Sequence, residues 1–155
     1  MSAAEVLHAA RAAGVRLAAA ESCTGGMIMA ALTDIPGSSE VVDRGFVTYS
    51  NDAKSEMLGV RRETLERFGA VSEQVAAEMA TGALARANAG IAIAVTGIAG
   101  PGASEVKPEG RVCFGLATPL GTRSETVEFG AIGRAEVRTA SVEHALRMIA
   151  HALQP

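Results

Sequence analysis

Val15-Arg16-Leu17-Ala18-Ala19-Ala20-Glu21-Ser22-Cys23-Thr24-Gly25-Gly26 reads as a short apolar strand running into a tight turn with paired glycines, and an apolar helix over roughly residues 26–32 follows. A short apolar run of this kind is the pattern of a buried strand. Upstream, residues 2–13 predict a helix with Val6, Leu7 and Ala10 on one face and Gly14 as its stop. Downstream, Pro36-Gly37 breaks the chain and residues 46–50 form a second strand. Asn51 or Asp52 caps a short helix through Lys54 to Leu58, and a further turn or two covers residues 63–67. Ser72 caps a long helix to Ala87, with Glu73 in its first turn, and residues 91–95 are a β-branched-rich buried strand. Residues 111–118 and 123–129 are strands joined by Pro119-Leu120-Gly121-Thr122, a link short enough to require an antiparallel pair. A last helix covers residues 134–153. The order αβαβααβββα predicts an α/β fold. It is a three-layer α/β/α arrangement around a mixed five-stranded sheet, mainly parallel, with the hairpin reversing one strand. Residues 1–155 are expected to form one domain.

The composition, 48% apolar and 20% charged, is that of a globular chain and not of a disordered one. A net charge of −3 argues against a polyanion-binding surface, so no nucleic acid partner is expected. Cys23 and Cys113 make neither a disulfide framework nor a zinc quartet and fit a reducing cytosol. No apolar run reaches the roughly 18 residues of a membrane span, and no basic leader precedes the first helix, so a cytoplasmic chain is expected. His8, His144 and His151 all fall on the terminal helices, away from every glycine-rich turn. A Ser-His-Asp triad, a metal and a cofactor are therefore not expected. Lysine is scarce: only Lys54 and Lys107 are present, so any lysine chemistry has two candidates.

In open α/β sheets ligands gather at the carboxyl ends of the parallel strands. Three segments fall there. In the first, residues 21–26, Ser22 or Cys23 is a possible nucleophile. The glycines let a ligand approach the backbone, and the N–H groups near Thr24, Gly25 and Gly26 offer an oxyanion hole. A helix N-terminus also lowers a thiol pKa, which bears on Cys23. The second is Tyr49-Ser50-Asn51 with Lys54, one helical turn beyond Asn51. A partly buried lysine loses its proton more readily and can serve as base toward a serine hydroxyl, with Tyr49 orienting or relaying the proton. The third is the loop of residues 96–102, whose three glycines and proline resist regular structure and suit a ribose or phosphate. Lys107 extends it. Arg134 opens the last helix, with Arg138 one turn on; cations there oppose the helix dipole and suggest an anion between them.

Ala20-Glu21-Ser22-Cys23-Thr24-Gly25-Gly26, Asp34-Ile35-Pro36-Gly37-Ser38-Ser39 and Gly45-Phe46-Val47-Thr48-Tyr49-Ser50-Asn51 with Lys54 resemble the C-terminal domain of the competence/damage-inducible protein CinA. So do Gly69-Ala70-Val71-Ser72-Glu73 and Thr96-Gly97-Ile98-Ala99-Gly100-Pro101-Gly102, in order and spacing over nearly the whole chain. The resemblance implies a fold like the anticodon-binding domains, with strand order 21345 and strand 4 antiparallel. It implies hydrolysis of the carboxamide of nicotinamide mononucleotide to nicotinate mononucleotide and ammonia, in pyridine nucleotide salvage. For that reaction the residues read above are expected to serve with Ser22 as nucleophile, Lys54 as base and Tyr49 as its assistant. Thr24, Gly25, Gly26, Asn51, Thr96, Gly97, Gly100, Lys107 and Arg134 are the expected substrate contacts. Ser38 and Ser39 are rival nucleophiles, but the topology puts them at the opposite sheet edge unless a dimer partner delivers them. Where the family usually has Lys-Pro-Val-Gly, this chain has Lys107-Pro108-Glu109-Gly110, and that carboxylate either alters ligand contacts or points outward. Two other readings stay open: a mononucleotide-binding regulatory domain without activity, and an assembly module whose glycine loops make a subunit contact. The alanine-rich helix faces suit a homo-oligomer.

Overall fold

The structure, a computed structural model, describes residues 1–104 and 106–155. Its elements are α1 (Ala3–Ala13), β1 (Leu17–Glu21), α2 (Met27–Thr33), a 3-10 turn (Ser38–Glu40), β2 (Val42–Val47), α3 (Asn51–Leu58), α4 (Arg62–Phe68) and α5 (Glu73–Ala85). β3 (Ile91–Gly97), β4 (Arg111–Thr118), β5 (Gly121–Glu128) and α6 (Arg134–Ala152) complete them. The sheet order is β2-β1-β3-β4-β5. β1 runs parallel to β2 and β3, while β4 is antiparallel to both β3 and β5. This is the expected mixed five-stranded sheet between two helical layers.

Three elements differ from their sequence pattern. β3 runs on through Thr96 and Gly97, which the pattern put in the glycine-rich loop. β2 starts at Val42, four residues before the expected Phe46, and ends at Val47. It is an edge strand, so polar residues can lie in it. The Asp43 carboxylate accepts from the Asn88 amide at 2.9 Å and from Arg44 Nε at 2.7 Å. The turns after Gly59 are a helix of their own, so three helices, not two, connect β2 to β3.

The two sheet faces are built from different residues. Leu17, Ile91, Ile93, Val95, Phe114 and Leu116 pack against α1, α2 and α6. On the other face the strand residues are Ala18, Ala20, Ala92, Ala94 and Ala117, beneath Val75, Met79, Ala80 and Ala83 of α5. Small residues there let the helix backbone come down onto the sheet. A Cβ on Gly115 would lie 2.3 Å from the Ala76 carbonyl oxygen, and one on Gly82 would lie 1.9 Å from that of Leu58. Larger side chains have no room at either contact. Among the described residues no helix is long and apolar enough to cross a membrane.

Candidate active site

β1, β2 and β3 point the same way, so their carboxyl ends share one rim, in register at Glu21, Val47 and Val95. The strand pairing runs one step further: Ser22 donates its amide to Val95 O at 3.0 Å, and Thr48 donates to Glu21 O at 2.8 Å. Ser22 and Thr48 are thus held by the sheet itself, although they lie in the loops.

Ser50 caps α3 by accepting from the Ala53 amide at 3.0 Å, where Asn51 or Asp52 was expected to do so. That start places Lys54 one turn into the helix and turned inward, where it is only 1% exposed. Its Nζ donates to Ser22 Oγ at 2.9 Å, to Thr48 O at 3.0 Å and to Tyr49 O at 3.3 Å. The two backbone carbonyls fix the amine's orientation so that a further tetrahedral direction meets the serine oxygen.

The turn after β1 is organised by a residue that the sequence reading passed over. Glu21 is fully buried. Its Oε1 accepts from Thr24 Oγ1 at 2.6 Å, from the Gly26 amide at 3.2 Å and from the Ile28 amide at 2.9 Å. Its Oε2 accepts from the Met29 amide at 3.0 Å. A carboxylate is a favourable partner for the bare amides and positive dipole end of α2. The signal was present: an acidic residue ending an apolar strand, just before a helix without a capping side chain. Arg138 closes the same turn from outside, donating from Nε to Cys23 O at 3.1 Å and from Nη2 to Thr24 O at 3.3 Å. It holds carbonyls rather than an anion. The Cys23 thiol is pushed up to about 11, chiefly by burial. Burial outweighs the interactions that favour the thiolate, so Cys23, which also borders the cavity beside this turn, is protonated at neutral pH.

A cavity of about 320 Å³ opens beside this network. Eight of the expected site residues border it: Ser22, Tyr49, Asn51, Lys54, Thr96, Gly97, Gly100 and Arg134. Thr24, Gly25, Gly26 and Lys107 do not. Thr24 and Gly26 serve Glu21, while a Cβ on Gly25 would meet Arg138. Lys107 donates its Nζ to Phe68 O and, at 2.6 Å, to Val71 O, which ties the glycine-rich loop to the segment before α5. Thr96 Oγ1 holds the same segment by donating to Ala70 O at 2.9 Å, so Ala70 and Val71 form one cavity wall.

Tyr49 enters the lysine's surroundings only through its carbonyl. Its ring is 63% exposed, and its hydroxyl accepts from Arg134 Nη2 at 3.1 Å. Arg134 also donates from Nη1 to Gly100 O at 2.6 Å, so it spans the cavity mouth from one loop to the other. Ser38 and Ser39 precede β2 and therefore lie at the opposite rim. Among the described residues no group of three His, Cys, Asp or Glu could hold a metal ion.

The model of the CinA C-terminal domain family matches residues 1–153. A CinA-like protein of Chlorobium phaeobacteroides is 53% identical over 146 residues, which covers 91% of this chain but only 35% of that protein. The chain thus spans about a third of the length of that longer relative. The Escherichia coli K12 protein named nicotinamide-nucleotide amidohydrolase PncC is 49% identical over 146 residues, covering 94% of this chain and 88% of its own length. Among solved structures, the competence/damage-inducible protein CihA of Agrobacterium tumefaciens superposes with a TM-score of 0.95 at 51% identity, covering 98% of this chain and 93% of that one.

Proposed function

This chain belongs to the CinA C-terminal domain family, and on that footing we propose that it hydrolyses the carboxamide of nicotinamide mononucleotide to nicotinate mononucleotide and ammonia, as a cytoplasmic enzyme of pyridine nucleotide salvage. The observation that carries the reading is the buried Ser22–Lys54 hydrogen bond at the wall of a cavity large enough for a small ligand. The likeness to a relative named for this activity supports it.

Withdrawing an amine from water favours its neutral form, which can accept a proton. With its two N–H groups on Thr48 O and Tyr49 O, neutral Lys54 turns its lone pair to Ser22 and takes the hydroxyl proton as Oγ bonds to the carboxamide carbon. The oxyanion falls to the amides that follow Ser22. Those of Gly25 and Gly26 are committed to Ser22 O and Glu21, whereas those of Cys23 and Thr24 donate to no other described residue. When the C–N bond breaks, Lys54 returns the proton to nitrogen and ammonia leaves. Water then attacks the Ser22 ester, Lys54 takes its proton, and Ser22 Oγ departs with that proton restored. The scheme uses no metal. Thr96, Gly97 and Gly100 face the ribose and phosphate, and Arg134 offers the phosphate a cation at the mouth. Tyr49 acts as a wall and as the partner of Arg134. Residues 1–155 work as one domain, and self-association of copies is part of the proposal.

The test is ammonia release from nicotinamide mononucleotide. Ser22→Ala and Lys54→Met are each expected to lose at least about a thousandfold in kcat while keeping the wild-type circular dichroism spectrum. Undiminished turnover in either folded variant removes the assignment. A wild-type chain that binds the nucleotide but releases no ammonia is a binding domain instead.

A further inference from the structure

The proposal rests on the amidase reading above and concerns which ligands its site prefers. Glu109 lies behind the glycine-rich loop and does not border the cavity. Its Oε1 accepts from the Gly102 amide at 2.6 Å. Its side chain fills the space beside Gly100 so closely that a Cβ on that glycine would lie 2.7 Å from the Glu109 carboxyl carbon. Gly100 and Gly102 are both cavity wall. A loop amide that a phosphate would use is therefore already given to a carboxylate, and a fixed negative charge stands behind the wall.

The hydrogen bonds of the neighbouring cations go to carbonyls. Lys107, two residues away, has its Nζ on those of Phe68 and Val71. Arg134 reaches Gly100 O at 2.6 Å from the cavity mouth. Among the described residues, a ligand phosphate at this end thus meets the Arg134 guanidinium in front and the Glu109 carboxylate behind. A neutral hydroxyl at the same place meets no such opposition.

We infer that Glu109 is a specificity-determining residue, which lowers the preference of this site for a phosphorylated nucleotide over the corresponding uncharged-ribose nucleoside. The test is calorimetric binding of nicotinamide mononucleotide and of nicotinamide riboside in a Ser22→Ala background, so that neither ligand is consumed. Glu109→Gln keeps an acceptor for the Gly102 amide and removes the charge. It is expected to raise the ratio of nucleotide to nucleoside affinity about fivefold at low salt, with the gain shrinking as salt is added. Glu109→Met, similar in length and also uncharged, shifts the ratio the same way and serves if the glutamine variant does not fold. A loop-packing role alone would change both affinities together. An unchanged or lowered ratio, with both ligands still bound, overturns this inference alone. Failure of the parent chain to bind either ligand overturns it together with the amidase reading.

Discussion

The turn after β1 and the loop after β3 sit on the same rim and are both rich in glycine, yet they are built on opposite plans. In the first, polar groups are buried and mutually satisfied: Glu21 takes four hydrogen bonds, and Lys54 is fixed against Ser22. In the second, the cavity wall is mostly backbone, tied back by side chains from elsewhere such as Lys107, Glu109 and Arg134. Buried polar networks are rigid because breaking any one bond strands its partner in low dielectric. A wall tied from behind can be retuned one tether at a time. On the proposed reading, the chemistry falls to the inflexible region and discrimination between ligands to the adjustable one.

The sharpest challenge to that contrast is Glu21→Ala. It leaves Thr24 Oγ1 and the amides of Gly26, Ile28 and Met29 without their acceptor, so unfolding free energy should fall by about 3 kcal/mol, with a Tm loss on the order of 10 °C. A loss under about 1 kcal/mol in chemical denaturation shows that this turn is no more rigid than the loop. Arg134→Gln probes the other region. KM for the nucleotide should rise roughly tenfold, with kcat within about twofold and Tm unchanged, because the arginine spans exposed loops and touches neither Ser22 nor Lys54. A fall in kcat with constant KM moves Arg134 into the chemical step.

The smallest effect belongs to Cys23. A thiol pushed from 9.0 up to about 11 favours folding while it stays protonated. That contribution is complete below pH 9 and is lost as pH rises toward 11. Wild type should lose stability across that window more steeply than Cys23→Ala. Iodoacetamide at pH 8 should label the folded chain far more slowly than the urea-unfolded one. Equal labelling rates mean that Cys23 is a reactive thiol and the turn is open.

The alternation of strands and helices, the antiparallel hairpin and the meeting of three loops at one rim were legible because each rests on spacing: apolar runs, glycine stops and a short hairpin link; the strand order came only with the family resemblance. The start of β2 was not, since an edge strand need not be apolar, and Asp43 and Arg44 read as loop. Lys107 and Glu109 show a different limit. Composition placed both beside a glycine-rich loop, but only coordinates reveal that the lysine faces two carbonyls and the carboxylate an amide. Beyond its place before a helix without a capping side chain, the role of Glu21 was not legible, because nothing in the order of residues shows that its carboxylate turns back onto the amides of Gly26, Ile28 and Met29. The inward turn of Lys54 depended on where α3 begins, and a one-residue change of cap, from Ser50 to Asn51, would swing the side chain by about 100°.

The alanine-lined face under α5 carries a consequence for variation in this chain. With the α5 carbonyl of Ala76 already against Gly115, a methyl group added at Ala92 or Ala94 is expected to lift α5. The segment that leads into that helix is Ala70 and Val71, one wall of the cavity. Those strand alanines therefore act as a spacer gauge, and changes there would reset the cavity's width from a distance, with none of its lining residues replaced.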